Sequence, residues 1–232
     1  MSKGVFIVGT DTDVGKTIIT AGLVHVLRKN GIDACPFKAV LSGGIQESGR
    51  LIPGDVKLVK EACSIDEEYE LMNPYCLKTP VSPHLAARLE KVEISREKIL
   101  DTYRRLAEKY EYIVAEGAGG LIVPIIDNSY FIYDLIKDLN LPVIIVARAA
   151  VGTINHTTLT VKFAESIGLD IKGIIINRYT DEAHVNDNIE TIKNITNKEI
   201  IAVIDDIEDY ESNDFKGLKD EFEKRIDIEK II

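Results

Sequence analysis

The residues able to do chemistry begin with the run Gly9-Thr10-Asp11-Thr12-Asp13-Val14-Gly15-Lys16-Thr17. An apolar run precedes it and helical spacing follows, which is the setting of a phosphate-binding loop. In such a loop the amides and the helix N-terminus point at an anion. Lys16 reaches the β- and γ-phosphates, and the Thr17 hydroxyl ligates Mg²⁺. Counted back from Lys16, the first glycine of the common G-x-x-x-x-G-K-[ST] pattern should stand at position 10, where this chain has Thr10; Gly9 lies one residue earlier. The loop is therefore a longer variant, and its extra residue brings Asp11 and Asp13 close to the phosphates. The plainer reading, a strand-to-helix turn whose glycines serve only the bend, does not account for Gly-Lys-Thr at this place.

Other candidates are spread along the chain. Lys38, in Phe37-Lys38-Ala39-Val40-Leu41-Ser42-Gly43-Gly44, sits at the end of an apolar run. It reads either as a snorkelling surface charge or as a cation that stabilises a transferred phosphoryl group or an acceptor carboxylate. Asp55 opens a helix and is either its cap or a magnesium ligand. Glu116 ends Tyr112-Ile113-Val114-Ala115-Glu116 and precedes Gly117-Ala118-Gly119-Gly120, the pattern of a second metal-site element with backbone amides lining a pocket. His84 at a proline-punctuated helix start is a candidate general base or an ordinary hydrogen-bonded histidine. Gly152-Thr153-Ile154-Asn155-His156 reads as a helix start with Asn155 available for contacts.

The elements that must position these residues alternate. Strands are expected at 5–9, 34–40, 112–116, 143–147, 171–177 and 200–204, and helices at 16–30, 55–63, 83–89, 95–109, 130–139, 153–167, 183–194 and 214–226. Strands apolar on both faces and joined by helices predict an α/β fold: a mostly parallel sheet with helices on both faces, of P-loop NTPase type. Ligands on such sheets bind beyond the carboxyl ends of the strands, which is where Gly9, Lys38, Glu116 and Asn177 fall. No Pro/Gly/Ser-rich linker divides the chain, so residues 1–232 are expected to form a single domain.

Composition narrows the function. Thirty-eight acidic against 28 basic residues give a net charge of −10, with no basic run to track a nucleic acid. No apolar stretch reaches the roughly 18–20 residues of a membrane span, and Met1-Ser2-Lys3-Gly4 shows no signal-peptide pattern. Cys35, Cys63 and Cys76 lack metal-type spacing and read as reduced thiols of a cytoplasmic protein.

The loop 9–17, Lys38 with Ser42-Gly43, Pro83-His84-Leu85-Ala86-Ala87, Glu116-Gly117-Ala118-Gly119-Gly120-Leu121, Gly152-Thr153-Ile154-Asn155-His156 and Asn177-Arg178 follow one another in the order found in the dethiobiotin synthetase family. The chain resembles that family from residue 5 to about 180. Its wider group includes the Min/Par-type ATPases and the cobyrinic acid amidases.

The resemblance implies a ligase of biotin synthesis that joins CO₂ to 7,8-diaminononanoate with ATP and Mg²⁺, through a carbamate and a carbamic-phosphoric anhydride. It assigns Lys38, Lys16 and Thr12 to catalysis. Asp13, Val14, Gly15, Lys16, Thr17, Ile18, Asp55, Glu116, Gly117, Ala118, Gly119 and Asn177 would bind the nucleotide and its metal, with Thr17, Asp55 and Glu116 on Mg²⁺ and Asn177 at the base. Ser42, Gly119, Val151 and Asn155 would meet the substrate, the last two across the interface of a homodimer.

Two features depart from the family. Ala39 replaces a frequent proline, and the segment after 200–204 reads Asp205-Asp206-Ile207 in place of a glycine and a proline. The acidic tail from Asp205 onward matches none of the motifs. The alternative is a nucleotide-switched partitioning or positioning ATPase. Such proteins carry a lysine five residues before the loop lysine, and the chain has Asp11 there.

Overall fold

Runs of aliphatic and β-branched residues too apolar to leave either face in water build the centre of the molecule. In a computed structural model, which describes residues 3–232 and so leaves Met1 and Ser2 of the expected 1–232 domain outside the described residues, six of these runs pair into a parallel sheet. They are β1 (Lys3–Gly9), β2 (Ala34–Phe37), β3 (Tyr112–Glu116), β4 (Val143–Arg148), β5 (Ile171–Tyr179) and β6 (Ile200–Asp205), in the spatial order β6-β5-β4-β1-β3-β2. Val5, Phe6, Ile7 and Val8 are wholly buried, as are Val143 to Ala147, so both faces of the central strands are covered. The cover comes from α1 (Lys16–Lys29), α2 (Gly54–Ala62), α3 (Pro83–Glu90), α4 (Arg96–Lys109), α5 (Ile132–Leu139), α6 (Thr153–Ser166), α7 (Ala183–Thr196) and α8 (Ser212–Arg225). This is the expected mostly parallel α/β architecture.

The register sets where the site can lie. Phe6 faces Ala115, Ile7 faces Glu116, Gly9 faces Val146, and Arg148 faces Asn177. The carboxyl ends of β3, β1, β4 and β5 therefore open on one rim of the sheet, with β2 beside β3.

Three expectations need correction. The strand expected at 34–40 stops at Phe37. Lys38 N–H donates to the Met72 carbonyl at 2.8 Å and the Asn73 side-chain amide donates to the Lys38 carbonyl at 2.6 Å, so a distant loop captures both backbone groups and lifts the chain off the sheet. Val40–Ser42 then pairs with Tyr75–Leu77 instead. The helix expected from residue 130 begins at Ile132, because Tyr130–Phe131 pairs with Pro124–Ile126 and the Asp134 carboxylate accepts the Phe131 N–H at 2.9 Å. The helix expected from residue 214 is reached through Asn213, Asp214 and Phe215, all in the left-handed region with φ of 50–58°.

The acidic tail is part of the core. Phe215, Leu218 and Phe222 are buried, and the Tyr112 hydroxyl donates to the Ile231 carbonyl at 2.6 Å. The Phe222 ring lies on α1 at Gly22, where a Cβ would stand 2.0 Å from the ring. Only glycine admits that contact. Phe222→Ala is expected to cost about 3–5 kcal/mol of unfolding free energy, because it leaves a ring-sized void against α1. A denaturant melt shifted by less than 1 kcal/mol would show that the tail is not held there.

Candidate active site

The loop between β1 and α1 is pinned on both sides. Thr10 N–H donates to the Val146 carbonyl at 2.9 Å, and Gly9 N–H reaches the Gly119 carbonyl at 3.4 Å. Gly15 holds φ +91°, which a side chain rarely adopts. It has a second reason to be glycine, since a Cβ there would stand 2.0 Å from the Asn177 side-chain nitrogen, which donates to the Val14 carbonyl at 2.9 Å. Gly15→Ala is accordingly expected to lower stability by about 1–3 kcal/mol. It should also remove ADP binding in calorimetric titration; native affinity in the variant would show that this geometry is dispensable.

The placement of Gly9 explains the longer loop. Lys16 folds back so that its ammonium donates to the Asp11 carbonyl at 3.0 Å, and a Cβ on Gly9 would lie 2.9 Å from that nitrogen. The bare backbone at position 9 makes room for the ammonium. No side chain caps α1 and its first turn carries no acid, which leaves the leading amides to an anion.

Across the rim, Lys38 and Glu116 are buried and in contact at 2.7 Å, and Lys38 also contacts Asp55. Glu116 Oε1 further accepts the Thr17 hydroxyl at 3.0 Å. The two lysines are shifted in opposite directions. Burial pushes the Lys16 ammonium below its ordinary value, and the more distant attraction of Glu116, Asp55 and Asp13 does not restore it. Burial acts on Lys38 too, but Glu116 and Asp55 in direct contact outweigh it and hold that ammonium above the ordinary range. Lys38 is thus a fixed cation, and Lys16 is a cation short of partners.

Thr12, Asp13, Gly15, Lys16, Thr17, Lys38, Ser42, Asp55, Glu116, Ala118 and Gly119 line one cleft of about 350 Å³. Other expected residues lie elsewhere. Val14 is buried beneath the loop, and Gly117 is packed near Phe6 and Ile132. Asn177 is 3% exposed, with its amide engaged behind the loop. Ile18 faces an adjoining hollow shared with Tyr210 and Glu211. Val151, 94% exposed, and Asn155 edge a separate hollow with His184. His84 stands outside the cleft lining, its Nδ1 buried without a partner among the described residues.

The cleft also contains Leu41, which no sequence pattern singles out, and Arg178, which the sequence shows only as the partner of Asn177 in a motif and with no role of its own. The thiols take no part: burial pushes Cys63 up to about 12 and Cys76 to about 11, so both stay protonated at neutral pH.

A dication fits the donors present. The Thr17 hydroxyl and the carboxylates of Asp55 and Glu116 offer oxygen donors, the kind a hard cation selects, grouped around the Lys38 ammonium that contacts both carboxylates. Among the described residues no group of three or more His, Cys, Asp or Glu could hold a metal by itself. The hydroxyl and the nucleotide's own oxygens would complete the shell.

A family model described as an AAA domain matches residues 3–213. The ATP-dependent dethiobiotin synthetase BioD of Clostridium kluyveri is 49% identical over 235 residues, covering 100% of this chain and 98% of that protein. The protein of the same name from Caldicellulosiruptor saccharolyticus is 42% identical, covering 97% and 94%. Among solved structures, a ParA family ATPase from Chlorobium tepidum superposes with a TM-score of 0.59 at 14% identity, covering 96% of this chain and 97% of that one. MinD from Pyrococcus horikoshii, complexed with Mg-ADP, gives 0.57 at 16% identity, covering 96% and 93%. At such low identity the structures speak for the fold alone. No helix among the described residues is long and apolar enough to cross a membrane.

Proposed function

Since the chain belongs to the family of ATP-dependent dethiobiotin synthetases and is an ATP-dependent ligase of biotin biosynthesis, we propose that it closes the ureido ring of dethiobiotin by phosphorylating a carbamate in the cleft between Lys16 and Lys38. One amine of 7,8-diaminononanoate takes up CO₂ as a carbamate. A carbamate oxygen then attacks the terminal phosphorus of ATP and ADP leaves, which gives a carbamic-phosphoric anhydride. The second amine attacks the carbamoyl carbon, and phosphate departs as the C–N bond forms.

The observation that carries this reading is the pair of buried ammoniums lining one cleft, both 6% exposed. Phosphoryl transfer asks mainly for alignment and charge neutralisation. Lys16 and the leading amides of α1 hold the terminal phosphates. Lys38, kept cationic by Asp55 and Glu116, binds the carbamate oxygens and offsets the charge that two anions bring together. Thr12 and Ser42 line the acceptor side. Mg²⁺ held by Thr17, Asp55 and Glu116 would neutralise phosphate charge when bound.

In this reading the enzyme is a homodimer, with Val151 and Asn155 reaching the diamine in the partner's cleft. The 94% exposure of Val151, with Leu159 of α6 also exposed, supports it; sedimentation at assay concentration reads the association directly.

The deciding experiment supplies ATP, Mg²⁺, bicarbonate and the diamine, and omits each in turn. ADP formation is expected to vanish without the diamine. Diamine-independent hydrolysis would replace the ligase reading with that of a switch ATPase.

A further inference from the structure

A second concavity lies away from the cleft, at the amino ends of the strands. Between α4 and the end of α5, where the chain passes through Leu139, Asn140 and Leu141 into β4, is a hollow of about 530 Å³. That volume suits a small organic molecule. Leu100 and Ala107 of α4, with Leu139 and Leu141, give it apolar walls.

One lining group is polar and unsatisfied. A tyrosine hydroxyl that is taken out of water ordinarily finds a partner. Among the described residues four tyrosines are buried. Tyr75 accepts the Ser95 N–H at 2.8 Å, Tyr112 donates to the Ile231 carbonyl, and Tyr130 donates to the Asp138 carboxylate at 2.6 Å. Tyr103, 8% exposed and lining the hollow, has no such bond among the described residues. Its ring packs edge-on against Phe37, with centroids 5.3 Å apart, so the hydroxyl is held in place. Burial pushes the phenol up to about 12, so it keeps its proton and remains a donor.

The charged groups stand at the rim. Asp138 is engaged by Arg96 and Tyr130, and Glu108 is exposed. Arg104 pairs with Asp101, but both are well exposed, and such a pairing is given up at little cost.

These groups select an occupant. A buried donor takes an acceptor, and the only cation lining the hollow is Arg104 at the exposed rim, so the acceptor beside Tyr103 must be neutral; an ionised carboxylate there would lose its water without a partner. The walls suit a short aliphatic stem, and the rim can take a terminal anion. Resting on the ligase reading above, in which the product is a cyclic urea on an aliphatic acid, we propose that the hollow binds a molecule of that class. The urea carbonyl accepts from Tyr103, the stem lies along the apolar walls, and the carboxylate meets Arg104. The enzyme thus carries a site for its own product apart from the cleft that makes it.

Equilibrium dialysis of dethiobiotin against the full chain, with saturating ADP and Mg²⁺, reads this site without turnover. Tyr103→Phe removes one oxygen, and Ala107→Phe fills the hollow. Neither residue lines the cleft, so ADP affinity should stay native in both and show that they fold. Tyr103→Phe is expected to weaken dethiobiotin by about 3- to 10-fold, as the loss of a neutral hydrogen bond does, and Ala107→Phe to abolish binding at the hollow. Hexanoate, which has the stem and the acid without the urea, should bind at least about tenfold more weakly than dethiobiotin. Equal dethiobiotin affinity in Tyr103→Phe and the native chain would overturn the proposal, since the molecule would then sit elsewhere. So would the absence of binding at millimolar concentration, or hexanoate bound as tightly as dethiobiotin. The ligase reading falls on a different measurement, diamine-dependent ADP formation, so the failure of either can be told from that of the other.

Discussion

Replacing Lys38 by alanine is expected to lower diamine-dependent ADP formation by at least about 10³-fold, the scale of losing a preorganised charge in a dry site. ADP binding should stay within about threefold of native, because in the proposed reading the group lost acts on the acceptor and not on the ground-state nucleotide. Lys38 enters the cleft from its own flank of the sheet. It reaches the cleft from the end of β2 and contacts Asp55 and Glu116, while Lys16 enters from the loop, where its ammonium donates to the Asp11 carbonyl, and in the proposed reading holds the phosphates with the α1 amides. The upward shift of its ammonium fixes the kind of help it gives. A lysine held above the ordinary range is charged throughout neutral pH and supplies a cation, not a proton or a base.

The variant will also be less stable by about 3 kcal/mol, since Glu116 loses its buried partner. Retained ADP binding therefore doubles as proof that the cleft is still formed. Coupled-enzyme detection of ADP with the diamine present, beside titration of ADP alone, separates the two effects. Native turnover in Lys38→Ala would remove Lys38 from the acceptor.

What the sequence discloses and what it conceals divide along the range of the interactions. The six central strands can be read because each is a local run whose burial on both faces excludes polar residues, as in Val143 to Ala147. The Gly-Lys-Thr step can be read for the same reason. The detachment of Lys38 from the sheet cannot. It depends on Met72 and Asn73, more than thirty residues downstream, and nothing in Phe37-Lys38-Ala39 announces that its backbone groups will be captured there.

The short pairings Ile45–Glu47 with Arg50–Ile52 and Pro124–Ile126 with Tyr130–Phe131 are too brief to show a period. The tail conceals its role differently. Its charges dominate the composition, yet Phe215, Leu218 and Phe222 alone decide where it sits, and Gly22 on α1 receives it. At the site, Glu116 and Lys38 were visible as strand-end charges. That they would touch each other depends on the register of β3 beside β2, where Phe37 faces Ala115.

Lys16→Met carries the second large expectation, and its two parts have opposite signs. Turnover should fall by at least about 10³-fold, because the only side-chain cation on the loop is lost from the terminal phosphates. Without nucleotide, however, the variant should melt a few degrees higher than the native enzyme, by about 2–4 °C for each kcal/mol gained. Lys16 is buried, with the Asp11 carbonyl as its hydrogen-bond partner among the described residues, and burial holds its pKa below the ordinary lysine value of 10.5. The unfolded chain therefore binds this proton more tightly than the folded one. Native stability should rise with pH between the lowered value and the ordinary one, and below that window the burden is felt in full. Methionine keeps the length and removes the charge, so the variant's curve should be flatter across that window.

Saturating ADP and Mg²⁺ should invert the order. A ligand at 100 times its Kd adds about 2.7 kcal/mol to the native enzyme, and the variant, lacking the contact, gains much less. Thermal melts of both proteins with and without ADP, at neutral and alkaline pH, read the crossing. If the ligand-free variant melted below the native enzyme, the ammonium at position 16 would be a stabilising part of the empty loop, and the idea that the site stores an unpaired charge for the nucleotide would be wrong.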